Sequence, residues 1–226
     1  MRAELVAWFK GQQILDRLIY LGAILLFGVV VPWQLGFSFL DVGFLLAYIL
    51  LPCLFAPQAV ATLVSSRHPQ PPGPGYVAQI LAPMAAGVAT HWLILALGFS
   101  VVSFRGEAPR LLLPPWQLLL HTTLLGLAAT FLACSLAGWI TLNSKTLASA
   151  KKQARQIFLL ILAGVMLWLR LGPAGAKGEL IDRLNPQRIH TLALPVSLGL
   201  AILGGLFLQA GRKRRMEEFS GPIFKL

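Results

Sequence analysis

A chain of 226 residues that is 57% hydrophobic and 12% charged, with a mean hydropathy of +0.74, holds more apolar surface than a water-soluble fold of that length can bury; soluble domains carry roughly 25% charged residues. The net charge of +11 has no polar basic domain to carry it, because the basic residues lie between apolar runs, which argues against nucleic acid as a partner and for membrane topology. Cys53 and Cys134 each fall inside an apolar run, so they read as packing residues rather than as a disulfide framework or a metal site.

Residues 1–17 contain Leu5, Trp8 and Phe9 on one side of a possible helix, interrupted by Gln12, and are read as an N-terminal cytoplasmic interfacial segment. No cleavage-site pattern for a signal peptide follows, so the first apolar run is expected to stay in the membrane. A spanning helix needs about 20 apolar residues, and the continuous rather than alternating runs exclude a barrel. Reading between charges places six spans at 18–36, 42–64, 76–103, 113–142, 156–171 and 191–210. Together, 18–210 form one transmembrane domain, followed by a basic cytoplasmic tail at 211–226. The predicted fold is therefore an all-α integral membrane bundle with both termini in the cytoplasm.

The first two spans meet at Asp41, read as a solvated residue that starts the second helix. Between the second and third spans, 65–76 read Ser-Ser-Arg-His-Pro-Gln-Pro-Pro-Gly-Pro-Gly-Tyr, a proline-stiffened connection that is either a plain turn or a docking surface. Pro52, Pro57, Pro83 and Pro195 can kink their helices, while Ala85-Ala86-Gly87, 126–129 and Gly204-Gly205 permit close helix approach. After the fourth span, 143–155 suit a helix at or entering the membrane surface. The fifth span is the short one, since its uncharged core at 156–169 must recruit Arg170 and the stem of Arg155 by snorkelling. On the outer side 172–190 form a polar segment with a short helix near 179–184, ended by Asn185-Pro186.

Orientation follows from the basic residues. With six passes, Arg2, Lys10, Arg17, Arg67, Lys145, Lys151, Lys152, Arg155, Arg212, Lys213, Arg214, Arg215 and Lys225 lie inside, and Arg105, Arg110, Arg170, Lys177, Arg183 and Arg188 outside. That division of thirteen against six obeys the positive-inside rule, and five passes would strand the run at Arg212 outside. Trp33 and Trp116 fall near outer ends, as an aromatic belt requires.

No phosphate-binding loop, zinc-binding His-Glu-x-x-His, nucleophile elbow or paired intramembrane carboxylates occur, so no catalytic, cofactor-binding or metal-binding residue is assigned. The polar residues at depth are His91, near the middle of the third span, and His121, in the second turn of the fourth. Each is read either as a hydrogen-bonded packing residue or as part of a proton or substrate relay.

The stretch 129–152, Ala-Thr-Phe-Leu-Ala-Cys-Ser-Leu-Ala-Gly-Trp-Ile-Thr-Leu-Asn-Ser-Lys-Thr-Leu-Ala-Ser-Ala-Lys-Lys, resembles the fourth span and re-entry of export-type (type-2) ATP-binding-cassette permeases, and 56–83 resemble their second span, coupling loop and third span. The resemblance extends to layout over nearly the whole chain, although the loop here has no acidic residue where relatives commonly place them. It implies a permease half that pairs with a second copy or a related permease subunit, sits among membrane lipid in a bacterial cytoplasmic membrane and is driven by a separate cytoplasmic ATP-binding subunit. It assigns Arg67, His68, Gly73 and Tyr76 to the ATPase-docking loop, and leaves ATP hydrolysis in the partner. The other classes considered are a non-catalytic scaffold or assembly subunit of a larger membrane complex, and an intramembrane enzyme, which the missing catalytic groups disfavour.

Overall fold

A computed structural model describes residues 14–36, 52–53, 55–64, 74–107, 116–183 and 188–219, and every regular element among them is helical. The first rod, α1 (14–35), comprises Ile14–Leu25, a π-helical turn at Leu26–Val30 and Val31–Leu35. It is followed by α2 (Phe55–Val64), α3 (Pro74–Val102, continued by a π-helical turn at Ser103–Glu107) and α4 (Trp116–Asn143). The remaining helices are α5 (Leu147–Leu171), α6 (Ala174–Arg183) and α7 (Ile189–Phe219).

Among the described residues, three helical stretches are long and apolar enough to cross a membrane, Gly75–Arg105, Trp116–Asn143 and Ile189–Glu217. At about 1.5 Å per residue each exceeds the roughly 30 Å hydrocarbon core. The protein is a helical membrane protein by this criterion. Inside such a helix a polar side chain needs a local partner, and three threonines of α4 find one in its own backbone, whereas the buried hydroxyls of Thr123 and Ser135 have none among the described residues. Thr122, Thr130 and Thr141 each donate to a carbonyl four residues earlier at 2.7 Å, from Leu118, Gly126 and Ala137.

Contacts between helices give their relative directions. Tyr20 hydrogen-bonds Thr90, Gly28 lies against Leu97, and Arg105 donates to the Trp33 carbonyl, so α1 and α3 run parallel. Pro52 meets Gly87, while Val64 shares a core with Tyr76 and Ile80, so the 52–64 segment runs antiparallel to α3. His121 faces His190, Phe131 faces Gly204 and Trp139 faces Phe207, which makes α4 and α7 parallel. Tyr76, at the start of α3, touches Gly138 and Gly211 near the far ends of α4 and α7. We call this the basic end, because Lys145, Lys151, Lys152 and 212–215 gather there.

Because α4 and α7 are parallel, the chain between them must return along the bundle. The 25 residues of α5 can cover about 37 Å of that path. From residue 147 on, the segment at 143–155, expected as a helix at or entering the membrane surface, and the apolar run at 156–171 belong to one helix, Leu147–Leu171. Positive charges end an apolar run without breaking a helix, since Lys, Arg, Gln and Ala are all good helix formers. For the same reason α7 continues through the basic run to Phe219. The short helix expected between the last two spans is found at Ala174–Arg183, somewhat earlier than expected.

Local irregularities have sequence causes. Pro32 has no N–H to donate to Gly28, and the preceding turn widens so that the Val31 N–H reaches the Leu26 carbonyl. Gly36 ends α1 with φ of 55°, a conformation open to glycine. The expected N-terminal interfacial segment up to residue 13, Asp41 and the last seven residues lie outside the described part.

Candidate functional site at the basic end

Tyr76 occupies the first turns of α3, immediately after the proline-rich connection, of which 65–73 with Arg67, His68 and Gly73 lie outside the described residues. An aromatic residue at the end of such a connection is expected to face a cytoplasmic partner. The structure instead buries Tyr76, at 2% exposure, against α4 and α7. Two glycines make the space for its ring. A Cβ on Gly138 would stand 2.8 Å from the tyrosine Oη and 3.0 Å from Ile80 Cδ1. One on Gly211 would fall inside the contact distance of Oη and 2.8 Å from Cζ. Both positions therefore require glycine while the ring is there.

Beside the ring lies Arg215, the one member of the basic run at 212–215 that is buried, at 4% exposure. Its Nη1 donates to Gln79 Oε1 at 3.0 Å, and its guanidinium carbon sits 5.8 Å from the centre of the Tyr76 ring. Gln79 is itself buried, one turn after Tyr76 on α3. A charge removed from water is tolerated when hydrogen-bonded and placed over an aromatic face, and breaking such a set costs more than forming it yields. Arg212, Lys213 and Arg214 are exposed and form a positive rim, in which Arg214 lies 4.0 Å from Glu217.

The connection is gripped at both flanks. Val64, the last described residue before it, and Tyr76, just after it, are fully or almost fully buried in one core with Ile80, Cys134, Ala137 and Ala154. The grip thus involves α2, α3, α4 and α5 together. Displacement of the 65–73 connection would act directly on the helices that line the bundle. Sequence reading identified Tyr76 by its position and missed Gly138, Gly211, Gln79 and Arg215. The one available signal was the spacing of a glycine four residues before an arginine at 211–215, which places both on one helix face.

The remaining candidates lie elsewhere. His91 is buried beside a void of about 20 Å³ lined by Tyr20, Phe27, Pro52, Phe55 and Thr90, room for about one water. His121 is near the opposite end of α4, where its Nδ1 meets the Gln117 carbonyl at 2.7 Å. The two histidines thus sit in separate surroundings. Cys53 and Cys134 are buried free thiols, with Cys53 Sγ 3.6 Å from Thr130 Oγ1, as packing residues would be. No group of three or more metal-ligating side chains occurs among the described residues. Between α4, α5 and α7 a cavity of about 250 Å³ is lined by apolar side chains including Leu136, Ile157, Leu203 and Phe207. A groove of about 540 Å³ runs between Met84, Phe131, Pro195 and Leu198. Such surfaces accept hydrocarbon and offer no charge to select a polar ligand. Comparison of the chain with protein-family models, with curated proteins and with solved structures gives no match, so the functional reading rests on this site and on the helix arrangement.

Proposed function

We propose that this chain is the membrane-spanning permease subunit of an ATP-driven exporter, crossing the bilayer six times with both termini in the cytoplasm. A separate cytoplasmic ATP-binding subunit docks on the 65–76 connection, and a second copy or a related permease subunit completes the translocation path. The observation that carries the reading is the double grip on the connection, with Val64 and Tyr76 buried in one core shared by four helices. A chain without an ATP site must take its work from a partner through a stiff cytoplasmic element, and this connection is rich in proline and flanked by Val64 and Tyr76, which are buried among the helices it would move.

The helix directions support the six passes. Parallel α1 and α3, antiparallel 52–64, parallel α4 and α7 and the return through α5 are what alternating crossings require, and the basic end matches the cytoplasmic side by the positive-inside rule. Tyr76 then serves as the internal root of the lever, while Arg67 and His68 remain its proposed outward contacts.

The test is purification of the complex from native membranes, followed by reconstitution. A cytoplasmic ATPase is expected to co-purify, and replacing 69–74 by a glycine-serine linker should preserve insertion while changing ATPase turnover or its substrate response at least several-fold. Reproducible recovery with other membrane subunits and never with an ATPase would replace this reading by the scaffold one.

A further inference from the structure

At the end of the bundle opposite Tyr76, two histidines from different helices meet. His121, in the second turn of α4, and His190, in the first turn of α7, have ring centres 6.2 Å apart and planes inclined by 49°. Several contacts hold this register. Leu118, one turn before His121, and Ile189, next to His190, are buried together in the core at that end. The start of α7 is braced by the Thr191 N–H and hydroxyl, both donating to the Arg188 carbonyl, and by the Arg188–Asp182 ion pair.

The hydrogen bond of His121 sets its chemistry. A backbone carbonyl can only accept, so the Nδ1 that meets the Gln117 carbonyl at 2.7 Å carries a proton in that bond. In the neutral ring Nε2 then keeps its lone pair. Donation of one ring N–H to a carbonyl, leaving the other nitrogen free, is the arrangement that prepares a histidine to bind a metal. A late first-row ion is held about 2 Å from each ligating nitrogen, which puts the centres of two imidazoles on one ion roughly 5 to 6.5 Å apart. The observed separation of 6.2 Å lies at the upper end of that range, which corresponds to the wide N–metal–N angle of a tetragonal Cu²⁺ site rather than to the tetrahedral angle of Zn²⁺. His190 is exposed, so water can complete the coordination shell.

We propose that His121 and His190 form a two-imidazole binding site for a late first-row divalent transition-metal ion, such as Cu²⁺, tying the N-terminal ends of α4 and α7 together. The site is independent of the transport reading. Imidazole suits copper, which binds most tightly of the series.

The experiment uses the full chain in detergent, purified without a histidine tag, stripped by chelator and titrated with Cu²⁺. One ion per chain with two imidazole nitrogens in its electron paramagnetic resonance spectrum is the expected result. His121→Ala and His190→Ala should each weaken binding at least tenfold and remove the two-imidazole signal, whereas His68→Ala should leave both unchanged. His190→Gln, at an exposed position, guards against loss of binding through misfolding of the His121 variant and should show the same loss with unchanged thermal unfolding of the metal-free protein. Saturating Cu²⁺ should raise the unfolding temperature of the wild type and of neither single variant. Affinity within threefold of wild type in His190→Gln, or a two-imidazole signal that survives either substitution, would overturn the proposal.

Discussion

The two cores of the bundle are built from different residues. At the end opposite Tyr76, Ile94, Leu95, Phe99, Leu118 and Ile189 interlock large side chains from α3, α4 and α7, with Phe27 and Val31 of α1 against them. At the basic end most members are small, Ala56, Val60, Val64, Cys134, Ala137 and Ala154, and one large ring, Tyr76, fills the space they leave. Bulky aliphatic layers can repack by rotamer changes, whereas a ring held between glycine backbones has no such freedom. The comparison teaches that the rigid joint of this bundle lies at the end where the proline-rich connection enters. The N-terminal ends of α4 and α7 are joined by more adaptable contacts, including the His121–His190 pair.

The sharpest way to break this contrast is to remove the glycine notch. Gly211→Ala should destabilise the protein by about 3 kcal/mol, the upper end of overpacking costs, because the new methyl meets the ring at Oη and Cζ. Adding Tyr76→Ala should make the Gly211→Ala step nearly neutral, and a double-mutant cycle of thermal unfolding in detergent measures that coupling. Gly204→Ala is expected to cost slightly less, about 2 kcal/mol, because its methyl would stand 2.7 Å from Phe131 Cδ1, which can turn, and 3.2 Å from the Leu132 Cα, which cannot. If both glycines accepted alanine without loss, the close contacts of α7 would not be the rigid element.

Arg215→Met should cost about 1 to 2 kcal/mol, since it leaves the buried Gln79 Oε1 without that donor. Pairing it with Gln79→Leu should recover most of the loss, which the same unfolding assay reads. The smallest effect sharpens the comparison from the other side. Gly205, adjacent to Gly204 but with nothing within 4 Å of a new Cβ, should accept alanine with a gain of about 0.5 kcal/mol from helix propensity. Opposite signs at two neighbouring glycines would separate steric need from helix propensity in one pair of variants.

Charge and hydropathy made the helical membrane character legible, together with the approximate placement of most elements. The proline at 32, the glycine at 36 and the backbone hydrogen bonds of Thr122, Thr130 and Thr141 in α4 are likewise local features whose causes lie within a few residues. Charge bounds the spans read at 156–171 and 191–210, but the helices that hold them, Leu147–Leu171 and Ile189–Phe219, run on through the charged flanks, because helix propensity decides where a helix ends. Residues 151–155 and 212–218 are charged or polar for the most part, yet every one is a strong helix former. The grip on the connection was half legible: the stiff loop is written in its prolines, but the destination of Tyr76 is not.

Composition and order of residues thus determined that this chain folds as apolar helices and where its positive charges gather, since both depend on solvent transfer and on interactions within a turn or two. Only the tertiary structure decided that α4 and α7 run parallel, that Tyr76 turns inward, that Arg215 rather than its three basic neighbours is buried, and that His121 meets His190. These choices depend on the shapes of surfaces far apart in the chain, where a missing Cβ at Gly138 or Gly211 sets how closely two helices can approach. No local pattern encodes that distance.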